Sequence, residues 1–149
     1  MEEKIENLIR MEGVEAVFIF NNKAETIYHI LKRTLEDRLI EEIGKHVIQV
    51  FAVNKKIKQH IVKNMDIVFD KGTLIAHNED YYTLIIWLNK AAQLSLVRLN
   101  VDLLLSNLKN DNKFNKLIKK HKIDYDFLLR KDNLDEQDRL IIDQLEGNK

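Results

Sequence analysis

The sequence predicts an α/β fold of the α+β type, in which helices cover both faces of one sheet. Two segments, 14–20 and 81–88, are apolar at nearly every position, which is typical of strands at the centre of a covered sheet. A long amphipathic segment, 34–61, lies between them, and no proline interrupts any element. The 149 residues, 45% hydrophobic and 32% charged, are enough for one domain with a proper core.

The chain is expected to begin with a short helix followed by a hairpin. Ile5, Leu8 and Ile9 recur at helical spacing, and Gly13 suits the end of that helix. The first strand, 14–20, should direct Val17 and Ile19 to one face. Its other face should receive Val14, Ala16, Phe18 and Phe20. A turn at 21–23 leads to a second strand at 25–31, which predicts a hairpin.

The long helix predicted over 34–61 carries more apolar surface than one sheet needs. It starts at a sequence resembling a capping box, with Thr34 followed by Asp37 three residues later. Its apolar residues occupy about half of the helix circumference, whereas a helix lying on a sheet needs a stripe of about 100°. They are Leu35, Leu39, Ile40, Ile43, Val47, Val50, Phe51, Val53, Ile57 and Ile61. Either another part of the chain covers the surplus, or the same helix of a second copy does so across a two-fold axis.

Three further strands and a helix are predicted after the long helix. The strands span 66–70, 73–77 and 81–88, and the helix runs from Leu94 or Ser95 to Lys109. With the two most apolar strands central, the sheet order is 2-1-5-4-3, and strands two and three form edges that need protection.

Residues 110–149 are expected to form a separate helical extension. Phe114, Leu117 and Ile118 suggest one or two helical turns. The run Asn133-Leu134-Asp135-Glu136 is a capping signal for a second helix. The apolar residues of that helix are Leu134, Leu140, Ile141, Ile142 and Leu145.

The sequence contains no recognisable catalytic, metal or cofactor site. There are no cysteines and no glycine-rich phosphate loop. The five histidines never fall three or four residues apart, which excludes a helical pair of metal ligands. We therefore predict a protein that is not an enzyme and that has no catalytic residues, metal or cofactor.

The charge pattern favours neither nucleic acid nor membrane as a partner. Lys plus Arg and Asp plus Glu each total 24, so the formal net charge is zero. The basic run at 116–122 is interpreted as a solvated helix face that the acidic residues between 132 and 143 balance. No apolar run approaches the roughly 18 residues of a membrane span, and the first residues do not resemble a signal peptide. A cytoplasmic location is the expectation.

Two sequence blocks resemble the roadblock/dynein light chain family. Gly13-Val14-Glu15-Ala16-Val17-Phe18-Ile19-Phe20, after an amphipathic helix, is similar to the first helix–strand unit of the family. Leu94-Ser95-Leu96-Val97-Arg98-Leu99 resembles the Leu-Gly-Leu-Val-Arg-Leu opening of the last helix in prokaryotic members. The resemblance covers about residues 2–109. The serine at 95 and the non-glycine hairpin at Asn22-Lys23 are departures that leave the subfamily open.

The resemblance implies an antiparallel five-stranded sheet with the long helix on one face and the terminal helices on the other. It implies a roadblock-like domain at 1–109, an extension at 110–149, and homodimers joined through the long helices and third strands. The dimer interface would then include Leu39, Ile43, Val47, Val50, Ile67 and Phe69.

The resemblance also implies a function without chemistry of its own. Family members are non-enzymatic platforms for small Ras-like GTPases, and a gliding-motility member with a similar extension activates such a GTPase. In this chain the polar side of the long helix, with Glu41, Lys45 and Lys55, would bind the partner. Arg33 and Arg38 are the nearest candidates for an arginine finger. The alternatives are a scaffold subunit without effect on a GTPase and a small-ligand sensor.

Overall fold

The structure, a computed structural model, describes residues 1–32, 34–58 and 62–118. Within these residues the chain forms four helices and five strands. In order they are α1 (Glu2–Ile9), β1 (Val14–Asn21), β2 (Thr26–Leu31), α2 (Asp37–Lys58), β3 (Asn64–Phe69), β4 (Gly72–Asn78), β5 (Tyr82–Asn89), α3 (Leu94–Lys109) and α4 (Asn112–Leu117).

The strands form one antiparallel sheet in the order β2-β1-β5-β4-β3. The predicted fold class and strand order are therefore confirmed. Strands β1 and β5 pair at the centre, where Phe18 lies opposite Ile85. Both residues are fully buried, as expected of strands that are apolar on both faces.

A β-bulge in β1 changes which way its first residue points. The register with β5 steps from Val14 opposite Leu88 to Ala16 opposite Trp87, so that Glu15 is the extra residue. Val14 consequently packs with Val17 and Ile19. The prediction that Val14 shares a face with Ala16 is wrong, because the bulge interrupts the strict alternation of side chains.

One hydrophobic core lies between the sheet and the helices α1, α3 and α4. Its buried residues come from all three helices and include Leu8, Val101 and Phe114. The ring of Phe114 contacts Tyr82 edge-on, with ring centroids 4.9 Å apart. Ile118 is buried in the same core, so the described part of the predicted extension packs onto the domain. The second helix predicted there, from Asn133, lies outside the described residues.

Gly13 joins α1 to the sheet in a conformation that favours glycine. Its φ angle of +84° lies in the left-handed region. A Cβ at this position would also overlap the backbone of Ala92, in the segment between β5 and α3. Its backbone oxygen accepts a 2.8 Å hydrogen bond from Asn89, so this glycine holds the end of β5 close to α1.

The second core lies between α2 and the opposite face of the sheet. Under the helix the strands present the small side chains Ala16 and Ala76 beside Phe18 and Phe20. On α2, Gly44 lies against the Phe20 ring so closely that a Cβ would overlap it. The long helix thus rests directly on the central strands.

The long helix starts later than the sequence suggests. Its first residue is Asp37, and the Glu36 carbonyl accepts hydrogen bonds from the backbone of Leu39 at 3.0 Å and Ile40 at 3.3 Å. Leu35 precedes the helix and packs as a partly buried side chain on the α2 core. The predicted C-terminal end, 59–61, lies outside the described residues.

Candidate protein-interaction site

The long helix α2 covers only part of its face of the sheet. Its own residues Ile40, Ile48 and Phe51 are buried against the sheet. Ile67 of β3 and Leu74 of β4 lie on the same face of the sheet, yet they remain partly exposed. The strip between α2 and the β3 edge is therefore open.

This open strip forms a concave surface of about 440 Å³ that we call the α2–β3 groove. Its lining residues are Leu35, Leu39, Glu42, Ile43, His46, Val47, Val50, Ile67, Leu74 and Trp87. Apart from Glu42 and His46, the lining is apolar. An apolar concavity of this kind suits burial against another apolar surface rather than polar chemistry.

The floor of the groove is a row of large side chains across the sheet. Ile67 lies opposite Leu74, and Leu74 lies opposite Trp87. The Phe69 ring, at the edge of the sheet, lies 6.4 Å from the Trp87 ring. Alternation along β3 produces this arrangement, because Asp66 points to the other face and pairs there with Arg98.

Five of the six predicted interface residues line the groove, and the sixth, Phe69, lies beside it. Leu39 is 44% exposed and Val50 41% exposed, whereas Ile43 and Ile67 are partly buried at the groove wall and floor. Phe69 is 37% exposed beside the groove. Val47 is only 3% exposed, because it points from α2 towards the core, and it forms the base of the groove.

The backbone of β3 extends the groove to the edge of the sheet. Within the described residues, β3 pairs with β4 alone. Its Val68 side chain, on the face opposite the groove, is 78% exposed. A bare edge with exposed apolar side chains is a template for pairing with another strand.

The predicted partner-binding residues lie on the other flank of α2. Glu41 borders a shallow cavity of about 290 Å³ together with Thr26 and His29 of β2. Lys45 follows one helical turn after Glu41 and is partly buried. Lys55 is exposed about 15 Å further along the helix axis. The structure therefore groups Glu41 with Lys45 and separates Lys55 from them.

The two arginine candidates differ in what the structure shows. Arg38 is strongly exposed, and its Nε donates to Glu42 Oε1 at 3.2 Å. That contact holds Arg38 on the groove side of α2. Arg33 lies outside the described residues.

Comparison with known proteins identifies the architecture. No protein-family model matches the chain, and no curated protein matches it. Among solved structures, a roadblock/LC7 domain from Streptomyces avermitilis superposes with a TM-score of 0.62 at 8% identity, over 74% of this chain and 95% of the other. The chain has the roadblock fold. MglB from Myxococcus xanthus superposes with a TM-score of 0.62 at 19% identity, over 76% and 86%.

A further roadblock-fold structure, described as MglB with a tetrameric arrangement, superposes with a TM-score of 0.59 at 13% identity. The matched region covers 80% of this chain and 88% of that one. At these identities the likeness concerns the fold.

Five residues that line the groove in this roadblock fold were not among the predicted interface residues, namely Leu35, Glu42, His46, Leu74 and Trp87. Alternation along β5 does place Trp87 on the α2 face with Ile85. Apolar alternation alone, however, treats every position on a central strand as covered. Leu74 and Trp87 remain partly exposed because α2 crosses the sheet away from them. The periodicity of the sequence does not show where a helix crosses a sheet.

On the face of the sheet away from the groove, a buried histidine lies among charged side chains. Burial lowers the pKa of His77, and the Arg98 guanidinium lowers it further, while Asp102 and Asp66 act in the opposite direction. Among the described residues, no three histidine or acidic side chains converge in a way that would hold a metal ion. None of the described helices is long and apolar enough to cross a membrane.

Proposed function

We propose that this roadblock-fold protein is a non-enzymatic homodimeric binding platform that regulates a small Ras-like GTPase. The observation that carries the proposal is the α2–β3 groove together with the bare edge of β3. The groove is apolar and the edge presents backbone hydrogen-bonding groups, both on the same flank, so a second copy of the same surface would cover both at once.

The proposed dimer has its two-fold axis beside the groove. Leu39 and Val50 of each α2 would then contact the partner helix, and the two β3 edges would pair into one continuous sheet. Pairing would satisfy the edge backbone and cover Phe69, which is exposed in the single chain. The solved MglB with a tetrameric arrangement supports the capacity of this fold to self-associate.

The proposed GTPase-binding surface is the polar flank of α2 with Glu41 and Lys45. This flank faces β2, on the side of the helix away from the groove, so dimerisation through the groove would leave it accessible. Neighbouring charges of both signs favour specific docking over indiscriminate attraction. Regulation would act by binding one switch conformation of the GTPase more tightly than the other.

Charge exchange on this flank tests the proposal. The double variant Glu41→Lys/Lys45→Glu keeps the net charge, and it should weaken binding of the full chain to a purified Ras-like GTPase. Binding is measured by calorimetry with the GTPase loaded with GDP or a non-hydrolysable GTP analogue, and single-turnover hydrolysis is followed in parallel. The matched control, Glu3→Lys/Lys4→Glu, reverses two exposed charges on α1 and should bind as the unaltered protein does.

The outcomes separate the competing functions. Nucleotide-dependent binding with altered hydrolysis supports regulation, and binding without any change in hydrolysis supports a scaffold subunit instead. Equal binding by both double variants contradicts the assignment of the flank. The ligand-sensor alternative uses the α2–β3 groove, whose volume lies within the roughly 300–1,000 Å³ range of ligand sites. A monomer that copurifies with a small apolar molecule would favour that alternative.

A further inference from the structure

A second exposed apolar surface lies on α3, on the opposite face of the sheet from the groove. Leu96, Leu99 and Leu103 are between 48% and 57% exposed, and we call them the α3 leucine stripe. The core side of the same helix carries Val97, Val101, Leu104 and Leu108, all buried. Projection at about 100° per residue places the stripe on the outward side of α3.

The spacing of the stripe suits a helix as its cover. The leucines are separated by three and then four residues, which is the repeat that packs one helix along another. They span about 10 Å of the helix axis. On one flank, Asn100 and Asn107 donate their side-chain amides to carbonyl groups of their own helix, and on the other flank the exposed Asp102 carries a negative charge.

We propose that residues 133–146 of the same chain form a helix that docks on the α3 leucine stripe. Within this segment, Leu134, Ile141 and Leu145 are separated by seven and then four residues, the same repeat as the stripe. The capping sequence at 133–136 predicts where that helix would start.

The end of the described chain lies on the correct side of the sheet for this docking. Ile118 is buried in the core that α1 and α3 form, so the following residues start on the α3 face and not on the groove face. The connecting residues 119–132 span up to about 45 Å when extended. Leu103 lies only about 9 Å from the C-terminal end of α3. The linker is therefore long enough to bring the segment back over the stripe.

This docking divides the surfaces of the molecule between different occupants. The chain itself would cover the α3 leucine stripe, and the groove and the polar flank of α2 would remain for other molecules. This docking involves contacts within one chain and needs no partner molecule.

Disulfide trapping tests the proposal, because the natural chain has no cysteine to interfere. The full chain with Leu103→Cys and Ile141→Cys should form an intramolecular disulfide on mild oxidation at low concentration, since the two Cα atoms would approach within about 7 Å. Non-reducing electrophoresis and peptide mass mapping identify the product. The control pair Glu36→Cys and Ile141→Cys, with residue 36 beside α2 on the other face of the sheet, should remain reduced.

The other outcomes overturn the proposal. A predominantly intermolecular disulfide would mean that a second copy occupies the stripe. Equal cross-linking by both pairs, or none by either, would show that the segment does not dock there.

Hydrogen exchange supplies a second measurement on folded protein. In the full chain, Leu99→Gln/Leu103→Gln should speed amide exchange within residues 134–146 by roughly tenfold, because the docked helix loses two contacts. The matched pair Leu39→Gln/Val50→Gln, on the other face, should leave exchange in that segment unchanged. A segment that exchanges as an unprotected peptide already in the unaltered protein, or equally in both variants, overturns the proposal.

Discussion

Replacing Leu39 and Val50 by alanine tests whether the α2–β3 groove joins two subunits. Both side chains line the groove and are exposed by 44% and 41% in the single chain. Alanine keeps the helix and removes the apolar atoms that a second copy would cover. Because a two-fold interface repeats every contact, each substitution acts twice in the dimer.

The expected magnitude follows from the exposed fractions. Full burial of a side chain of this size stabilises by about 1.5–3 kcal/mol. Covering the exposed 40–45% of each therefore contributes about 0.6–1.3 kcal/mol. Over the four side chains of a dimer the loss is roughly 2.5–5 kcal/mol. The dimer dissociation constant should rise about a hundredfold to several thousandfold.

Sedimentation equilibrium over a range of concentrations measures that constant directly. The unaltered chain of 17.7 kDa should sediment with twice its mass at micromolar concentration. The control Leu99→Ala/Leu103→Ala removes two leucines of similar exposure from α3, and it should leave the constant unchanged. A monomeric unaltered protein, or equal dissociation constants for both double variants, would refute the reasoning.

Three further predictions concern stability. Val47→Asp places an unpaired charge in the α2 core. The free energy of unfolding, measured by urea denaturation, should therefore fall by at least about 3 kcal/mol. Unchanged stability would mean that Val47 does not face the core. Phe114→Ala should lower the free energy of unfolding by about 3–5 kcal/mol in the same assay, because the ring is buried against Tyr82. A loss within about 0.5 kcal/mol would mean that α4 does not pack on this core. Since burial lowers the pKa of His77 from about 6.5, neutral His77 contributes stability that is present above that pH and lost as the pH falls below it. His77→Gln should flatten the decline of the melting temperature between about pH 7.5 and pH 5.5, and equal slopes would contradict this.

Residue patterns predicted the sheet well because its centre is unambiguous. Strands that are apolar on both faces, such as 14–20 and 81–88, can only lie at the centre of the sheet. Turns between short strands then leave few possible orders. The prediction for Val14 failed because one extra residue, Glu15, forms a β-bulge that turns the Val14 side chain to the other face of the sheet.

The candidate site was predictable in part for a related reason. The excess of apolar residues on α2 indicated that one flank needs a cover, and Leu39 and Val50 do lie exposed at the groove. Periodicity did not distinguish Val47, which α2 turns inward, from those neighbours. That distinction depends on the tilt and position of the helix over the sheet, which are set by packing between distant residues.

The contact between Gly44 and the ring of Phe20 sets the distance between α2 and the central strands of the sheet. A larger side chain at position 44 would overlap the Phe20 ring and push the helix away from the sheet. The wall formed by Leu39, Ile43 and Val50 would move with it, and the opening would change in width. A residue that never touches the groove therefore controls which surfaces fit it.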